Sequence, residues 1–75
     1  MNSYRVVIFD ENQKVLISKV VTDADTKENI TSRIKMVIDM HNAPFTVSVT
    51  DYIHETMSVF DFAALLNTAL EEMRL

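Results

Sequence analysis

The chain opens with two runs of β-branched and aromatic residues, at positions 4–9 and 14–21. Such residues favour β-strands, and the polar residues 10–13 suit a hairpin loop between the two runs. In the first run, the even-numbered and odd-numbered positions are both largely apolar. Alternate residues of a strand point to opposite faces, so this pattern predicts a β-hairpin in which one or both strands are central and covered on both faces.

A helix start follows the hairpin, within residues 22–28. Asp25 suits the N-cap, and Glu28 three residues later completes a capping-box pattern. Apolar residues then recur at helical spacing, and Asn42 with Pro44 two residues later marks the end of the helix. The predicted apolar stripe consists of Ile30, Ile34, Val37, Ile38 and His41.

A third strand is predicted at residues 45–50, where apolar and small polar residues alternate. The alternation is weaker at 51–57. This pattern fits three alternatives: a longer third strand, a bulged strand or a separate short fourth strand. Ser58 or Thr56 then suits the N-cap of a second helix. The apolar stripe of that helix consists of Phe62, Leu65, Leu66, Ala69, Leu70 and Met73.

This order of elements, ββαβα or ββαββα, predicts the α+β class. We expect a small single-layer antiparallel sheet of three or four strands with two helices on one face. The length of 75 residues leaves room for one domain, residues 1–75. The hydrophobic share of 48% is too high for a disordered chain.

The composition limits the compartments in which the protein is expected and the kinds of partner that it is expected to bind. The chain has no cysteine, hence no disulfide, and no apolar stretch of secretory or membrane-spanning length, so we expect a cytoplasmic protein without a membrane partner. Small cores are commonly supplemented by a disulfide, a metal or a second subunit, and the second subunit is the option left here. The net charge of -4 opposes general attraction to nucleic acid.

The sequence lacks the patterns of common catalytic and metal sites. His41 continues a helix stripe, and His54 neighbours Glu55 on a predicted strand, where adjacent side chains point to opposite faces and cannot form a dyad. Without cysteine or a zinc-binding histidine motif we expect no metal, and without glycine we expect no phosphate-binding loop. We therefore expect no enzyme, no catalytic residue and no cofactor.

Two methionines suggest a surface for recognition. Met36 and Met40 are four residues apart and share a flank of the first helix, beside its apolar stripe. Either the helix is wedged deeply into the core, or this flank contacts another protein, because exposed methionine suits adaptable interfaces.

Four further residues are candidates for partner contact. Asp23 and Asp25 belong to an acidic cluster at the helix start, which is either ordinary helix-dipole chemistry or a surface for a basic partner. Tyr52 and His54 lie in the ambiguous segment after the third strand.

These observations predict a small acidic protein-binding or regulatory module that acts by surface contact. We expect it to form a homo-oligomer, to bind an unidentified protein partner, and to use apolar helix surface or a sheet edge. The alternative is a nucleic-acid-binding domain that uses the face of the N-terminal hairpin, on or near which Arg5, Lys14 and Lys19 lie.

Overall fold

The computed structural model describes residues 2–53 and 57–73, and its elements confirm the α+β class with the order ββαββα. The elements are β1 (Asn2–Phe9), β2 (Val15–Asp23), α1 (Lys27–Met40), β3 (Thr46–Tyr52), β4 (Met57–Ser58) and α2 (Val59–Met73). The ambiguous segment therefore contributes the end of β3 and the start of a separate fourth strand.

The sheet has the strand order β3-β1-β2-β4, and its central strand β1 is antiparallel to both β2 and β3. The prediction of a wholly antiparallel sheet is wrong at one pair, because β4 lies parallel to β2 through Val21↔Met57 and Thr22↔Ser58. β4 sits at the opposite edge from β3, so the two do not form a hairpin. β2 and β3 are both antiparallel to β1 and therefore run in the same direction. β4 is parallel to β2, so it runs in that direction too.

Both helices pack on one face of the sheet, as predicted. Tyr4, Val6 and Ile8 of β1 point to this helix-covered face and are buried. Arg5, Val7 and Phe9 point to the other face and are half-buried. Coverage on both faces, one reading of the apolar run in β1, is therefore not found. The second face, which we call the open face, carries no helix of residues 2–53 and 57–73.

The two helices supply most of the core. From α1 the buried side chains are Ile30, Ile34 and Ile38, and from α2 they are Val59, Phe62, Leu66 and Leu70. The predicted core positions Leu65 and Met73 are instead 37% and 42% exposed. The buried positions of α2 are three or four residues apart, so Leu65 falls on a flank of the helix and Met73 on its last turn.

The predicted N-cap of α1 is wrong by one residue. Thr26 is the N-cap, and its hydroxyl accepts a hydrogen bond from the Asn29 backbone N–H at 3.2 Å. The carboxylate of Asp25 contacts Arg33 instead, at 2.8 Å. At α2, Ser58 Oγ accepts from the Asp61 N–H at 3.1 Å, which confirms the first of the two predicted caps. The other, Thr56, lies outside the described residues.

The C-terminal end of α1 shows how this chain turns without glycine. Asn42 has a φ of 53°, in the left-handed region that glycine usually occupies after a helix. Its N–H donates to Asp39 O at 3.0 Å, and the Ala43 N–H donates to Ile38 O at 3.2 Å. These two bonds form a Schellman motif, which ends the helix where Asn42 and Pro44 predicted.

The core predicts a large cost for truncating Ile34. We expect Ile34→Ala to lower the free energy of unfolding by about 2–5 kcal/mol, because the side chain is fully buried and its loss leaves a cavity. The measurement is urea unfolding followed by circular dichroism. Met36→Ala on the same helix is the control, and since Met36 is 62% exposed we expect a change within about 0.5 kcal/mol. Equal costs for the two variants would contradict the burial of Ile34.

Candidate interaction surfaces

The outward side of α1 exposes both predicted methionines. Met36 is 62% exposed and Met40 is 70% exposed, so these two side chains are not wedged into the core. Their contact with another protein stays a prediction. They line a shallow depression together with Ser32, Lys35 and Asp39. We call these five residues the methionine surface. The fold leaves this surface free because the buried stripe of α1 lies on the opposite side of the helix.

A third exposed apolar residue, Phe60, extends this side of the helix layer. Its ring is 78% exposed and lies 5.8 Å from Arg33 Cζ, a cation–π distance. The same guanidinium contacts Asp25, just before the start of α1, so Phe60 of α2 lies near the N-terminal end of α1. Four other large apolar side chains are exposed elsewhere: Val15, Ile53, Leu65 and Met73.

Two contacts hold α1 and α2 side by side and parallel. The first is that between Arg33 and Phe60. The second joins His41, the C-cap of α1, to Asn67 of α2, with 2.7 Å between His41 Nε2 and Asn67 Oδ1. The imidazole N–H donates to the amide oxygen in this bond. His41 therefore has a structural contact at the helix end, where the sequence placed it.

Asp23 and Asp25, at the connection between β2 and α1, form ion pairs with Arg33. Arg33 Nη2 lies 2.8 Å from Asp25 Oδ2, and Arg33 Nη1 lies 4.0 Å from Asp23 Oδ2. Asp23 Oδ1 also accepts from the Asp25 N–H at 2.9 Å, and the Tyr4 hydroxyl donates to Asp25 O at 3.4 Å. The structure thus brings the two predicted partner contacts together, but it uses their carboxylates to fasten α1 to the end of β2. Arg33 was not predicted as a partner of these carboxylates, because its spacing of eight residues from Asp25 gives no local signal in the sequence.

Tyr52 lies on the open face at the end of β3. The guanidinium of Arg5 stands 4.8 Å from the centre of its ring, and Arg5 Nη1 donates to Ser18 Oγ at 3.2 Å. Tyr52 is far from Met36 and Met40, because the sheet separates the open face from the helix layer. His54, the remaining predicted contact residue, falls outside the described residues.

The three cations assigned to the hairpin do not share one face. Arg5 points to the open face, whereas Lys19 is opposite Val6 in the β1–β2 register and therefore points to the helix side. Lys14 lies in the hairpin loop, whose turn is held by Asp10 Oδ1 accepting from the Asn12 and Lys14 N–H groups. A continuous basic track along the hairpin, which nucleic-acid backbones require, is not formed by these three residues.

Residues 2–53 and 57–73 contain no group of three or more His, Asp or Glu side chains arranged to hold a metal ion. No helix within these ranges has the length and apolar character needed to cross a membrane.

Comparison of the chain with protein-family profiles, with curated proteins and with solved structures finds no match.

The contact between Arg33 and the acidic pair predicts a small, salt-sensitive contribution to stability. We expect Asp25→Asn to lower the free energy of unfolding by up to about 1 kcal/mol, because both side chains of the pair are partly exposed to solvent. The loss should shrink in high salt, which screens the interaction. Chemical unfolding with urea, an uncharged denaturant, measures both effects. Asp39→Asn is the control, since Asp39 is exposed on α1 and has no ion pair with another described residue. A cost equal to that of Asp39→Asn would contradict this role of Asp25.

Proposed function

We propose that this chain is a small acidic protein-binding or regulatory module that acts by surface contact and self-associates. The observation that supports the proposal is the exposure of large apolar side chains on both helices, with Met36 and Met40 of α1 at 62% and 70% and Phe60 of α2 at 78%. Single exposed apolar residues are ordinary on protein surfaces, but a group of large ones is typical of recognition sites.

The chemistry of the methionine surface suits binding to protein. Methionine side chains are flexible and polarizable, so they adapt to partners of different shape. Lys35 and Asp39 border them with charges of opposite sign, which favours neither a strongly acidic nor a strongly basic partner. We propose binding rather than catalysis as the activity of this chain, and the cytoplasm as its compartment.

Self-association is the second part of the proposal. A core of this size seldom supplies more than about 3–5 kcal/mol of net stability, and a second subunit is one way in which small domains gain more. Two surfaces of the described chain are open to a second copy: the methionine surface and the outer edge of β3. Either can be reached without rearrangement of the core.

The nucleic-acid alternative has weaker support. Its aromatic residues on the open face, Phe9 and Tyr52, stand at opposite ends of the paired strands β1 and β3, since Phe9 is opposite Thr46 and Tyr52 is opposite Ser3. Stacking of successive bases needs neighbouring aromatic rings, and this spacing does not provide them. Binding of an oligonucleotide that weakens steeply with added salt would restore this alternative.

The solution mass tests the proposed self-association. We expect light scattering on the purified chain to give twice the chain mass of 8.6 kDa, with the dimer share rising with protein concentration. The measurement is made at two concentrations and two salt levels. Added salt should not dissociate the dimer, because it screens repulsion between copies that each carry a net charge of -4. A mass of one chain under all four conditions would contradict self-association.

A further inference from the structure

β3 forms one edge of the sheet. It pairs with β1 on its inner side, and within the described ranges no strand lies on its outer side. The pairing with β1 runs from Ser3↔Tyr52 to Phe9↔Thr46 without a register shift. An edge strand directs alternate backbone N–H and C=O groups outward, so a straight edge is a template on which a further strand can pair.

Residues 46–50 of this edge lack the features that usually prevent such pairing, and the one charged residue of β3, Asp51, lies outside this segment. Charged residues, proline, bulges and very short strands protect most sheet edges. Residues 46–50 contain neither a charge nor a proline, and their pairing with β1 has no bulge. The opposite edge of the sheet differs, because β4 is two residues long and β2 carries Lys19 where β4 does not reach.

The sequence of residues 46–50 is its own reverse, Thr-Val-Ser-Val-Thr. If two copies pair antiparallel about a two-fold axis at Ser48, Thr46 of each copy is opposite Thr50 of the other, and Val47 is opposite Val49. Threonine pairs and β-branched apolar pairs across strands stabilise antiparallel sheets. A second copy of this chain is therefore a partner with matching side chains at every position of the segment.

The faces of the two copies match as well. Val47 and Val49 are in register with Ile8 and Val6 of β1, which point to the helix side, so in the pairing about Ser48 both valine pairs lie on that side. The threonines and Ser48 lie on the open face in both copies. The joined sheets would thus form one continuous sheet with all four helices on the same side.

Apolar surface lies beside β3, and its burial would favour the binding of a second copy at this edge. A groove between α1 and the start of β3 is lined by Thr31, Lys35, Ile38, Phe45, Thr46 and Val47. Val47 and Val49 are only half-buried, although they point to the same side of the sheet as the core. A strand added at this edge would remove apolar surface of this groove from water, in addition to pairing backbone groups.

We infer that two copies of this chain dimerise by antiparallel pairing of β3 with β3 about a two-fold axis at Ser48. The inference rests on the self-association proposed above and assigns its contact surface. It leaves Met36 and Met40 of each copy, which do not line the groove beside β3, exposed for a different protein.

A cysteine crosslink tests the inference directly, because the chain contains no cysteine of its own. On the two-fold axis the two copies of residue 48 are opposite each other, with Cα atoms about 4.5–5.5 Å apart, which a disulfide spans. We expect Ser48→Cys to form a covalent dimer in oxidised glutathione, as seen on a non-reducing gel. Ser32→Cys on the methionine surface is the matched control, and it should remain mainly monomeric on the gel.

The outcomes separate the inference from the proposed function. A crosslink through Ser32→Cys but not through Ser48→Cys would overturn the inference and assign the dimer contact to α1, leaving self-association intact. A dimeric mass with neither crosslink would also overturn it. A wild-type chain that is monomeric throughout would remove both the proposed self-association and the inference.

A comparison of two charged double variants tests the register of the proposed β3–β3 pairing without a covalent bond. Thr46→Lys/Thr50→Glu places opposite charges across the β3–β3 contact, whereas Thr46→Glu/Thr50→Glu places like charges there. Both variants put Glu opposite Arg5 of β1 within each copy, so that neighbour does not bias the comparison. We expect the dissociation constant of the second variant to be at least about tenfold higher by analytical ultracentrifugation. Equal constants would overturn the register about Ser48.

The methionine surface supplies the control for this comparison. Met40→Glu should leave the dissociation constant of the dimer within about twofold of the wild-type value, since Met40 is remote from the proposed contact. Circular dichroism is used to check that each variant is folded. We expect all of them to fold, because Thr46, Thr50 and Met40 are exposed. Dissociation of the dimer by Met40→Glu would place the contact on α1 and overturn the inference.

Discussion

Burial of one side of β1 beneath two parallel helices is the contact on which the rest of the structure depends. Val6 and Ile8 of β1 are fully buried against the isoleucines of α1 and the Phe62–Leu66–Leu70 stripe of α2. Removal of this apolar surface from water is the main favourable term in folding. Two helices of 14 and 15 residues cover one face of the sheet and no more. The open face, the β3 edge and the outward sides of the helices are the surfaces that this arrangement leaves to solvent or to partners.

Polar contacts at the ends of the elements fix how the helices lie on the sheet. Arg33 joins α1 to the end of β2 through Asp25 and also contacts Phe60 of α2. His41 joins the other end of α1 to Asn67. These charged and polar groups thus already have bonding partners within the chain. The contact surfaces that we propose instead are the uncharged side chains of Met36 and Met40 and the uncharged residues 46–50 of β3.

Periodicity in the sequence predicted the hairpin, both helices and β3, since each of these elements is long enough for a repeat to be visible. It could not resolve β4, because a strand of two residues has no period. The apolar odd-numbered residues of β1 suggested coverage on both faces, but Val7 and Phe9 are only half-buried, and neither described helix covers their face. Asp25 and Thr26 both suit an N-cap, and only the distant partner Arg33 decides between them. Of the candidate surfaces, the methionine pair followed from helix geometry. The edge position of β3 did not, because strand order depends on pairing between distant segments.

Residue-resolved hydrogen exchange at several protein concentrations tests this account most directly. Amides of β1 should be the best protected at every concentration, because β1 is paired on both sides and lies over the core. The outward-facing amides of residues 46–50 should exchange quickly in dilute protein and become protected as the concentration rises. Protection of those amides that does not change with concentration, or β1 amides that exchange as fast as those of the loops, would contradict the account.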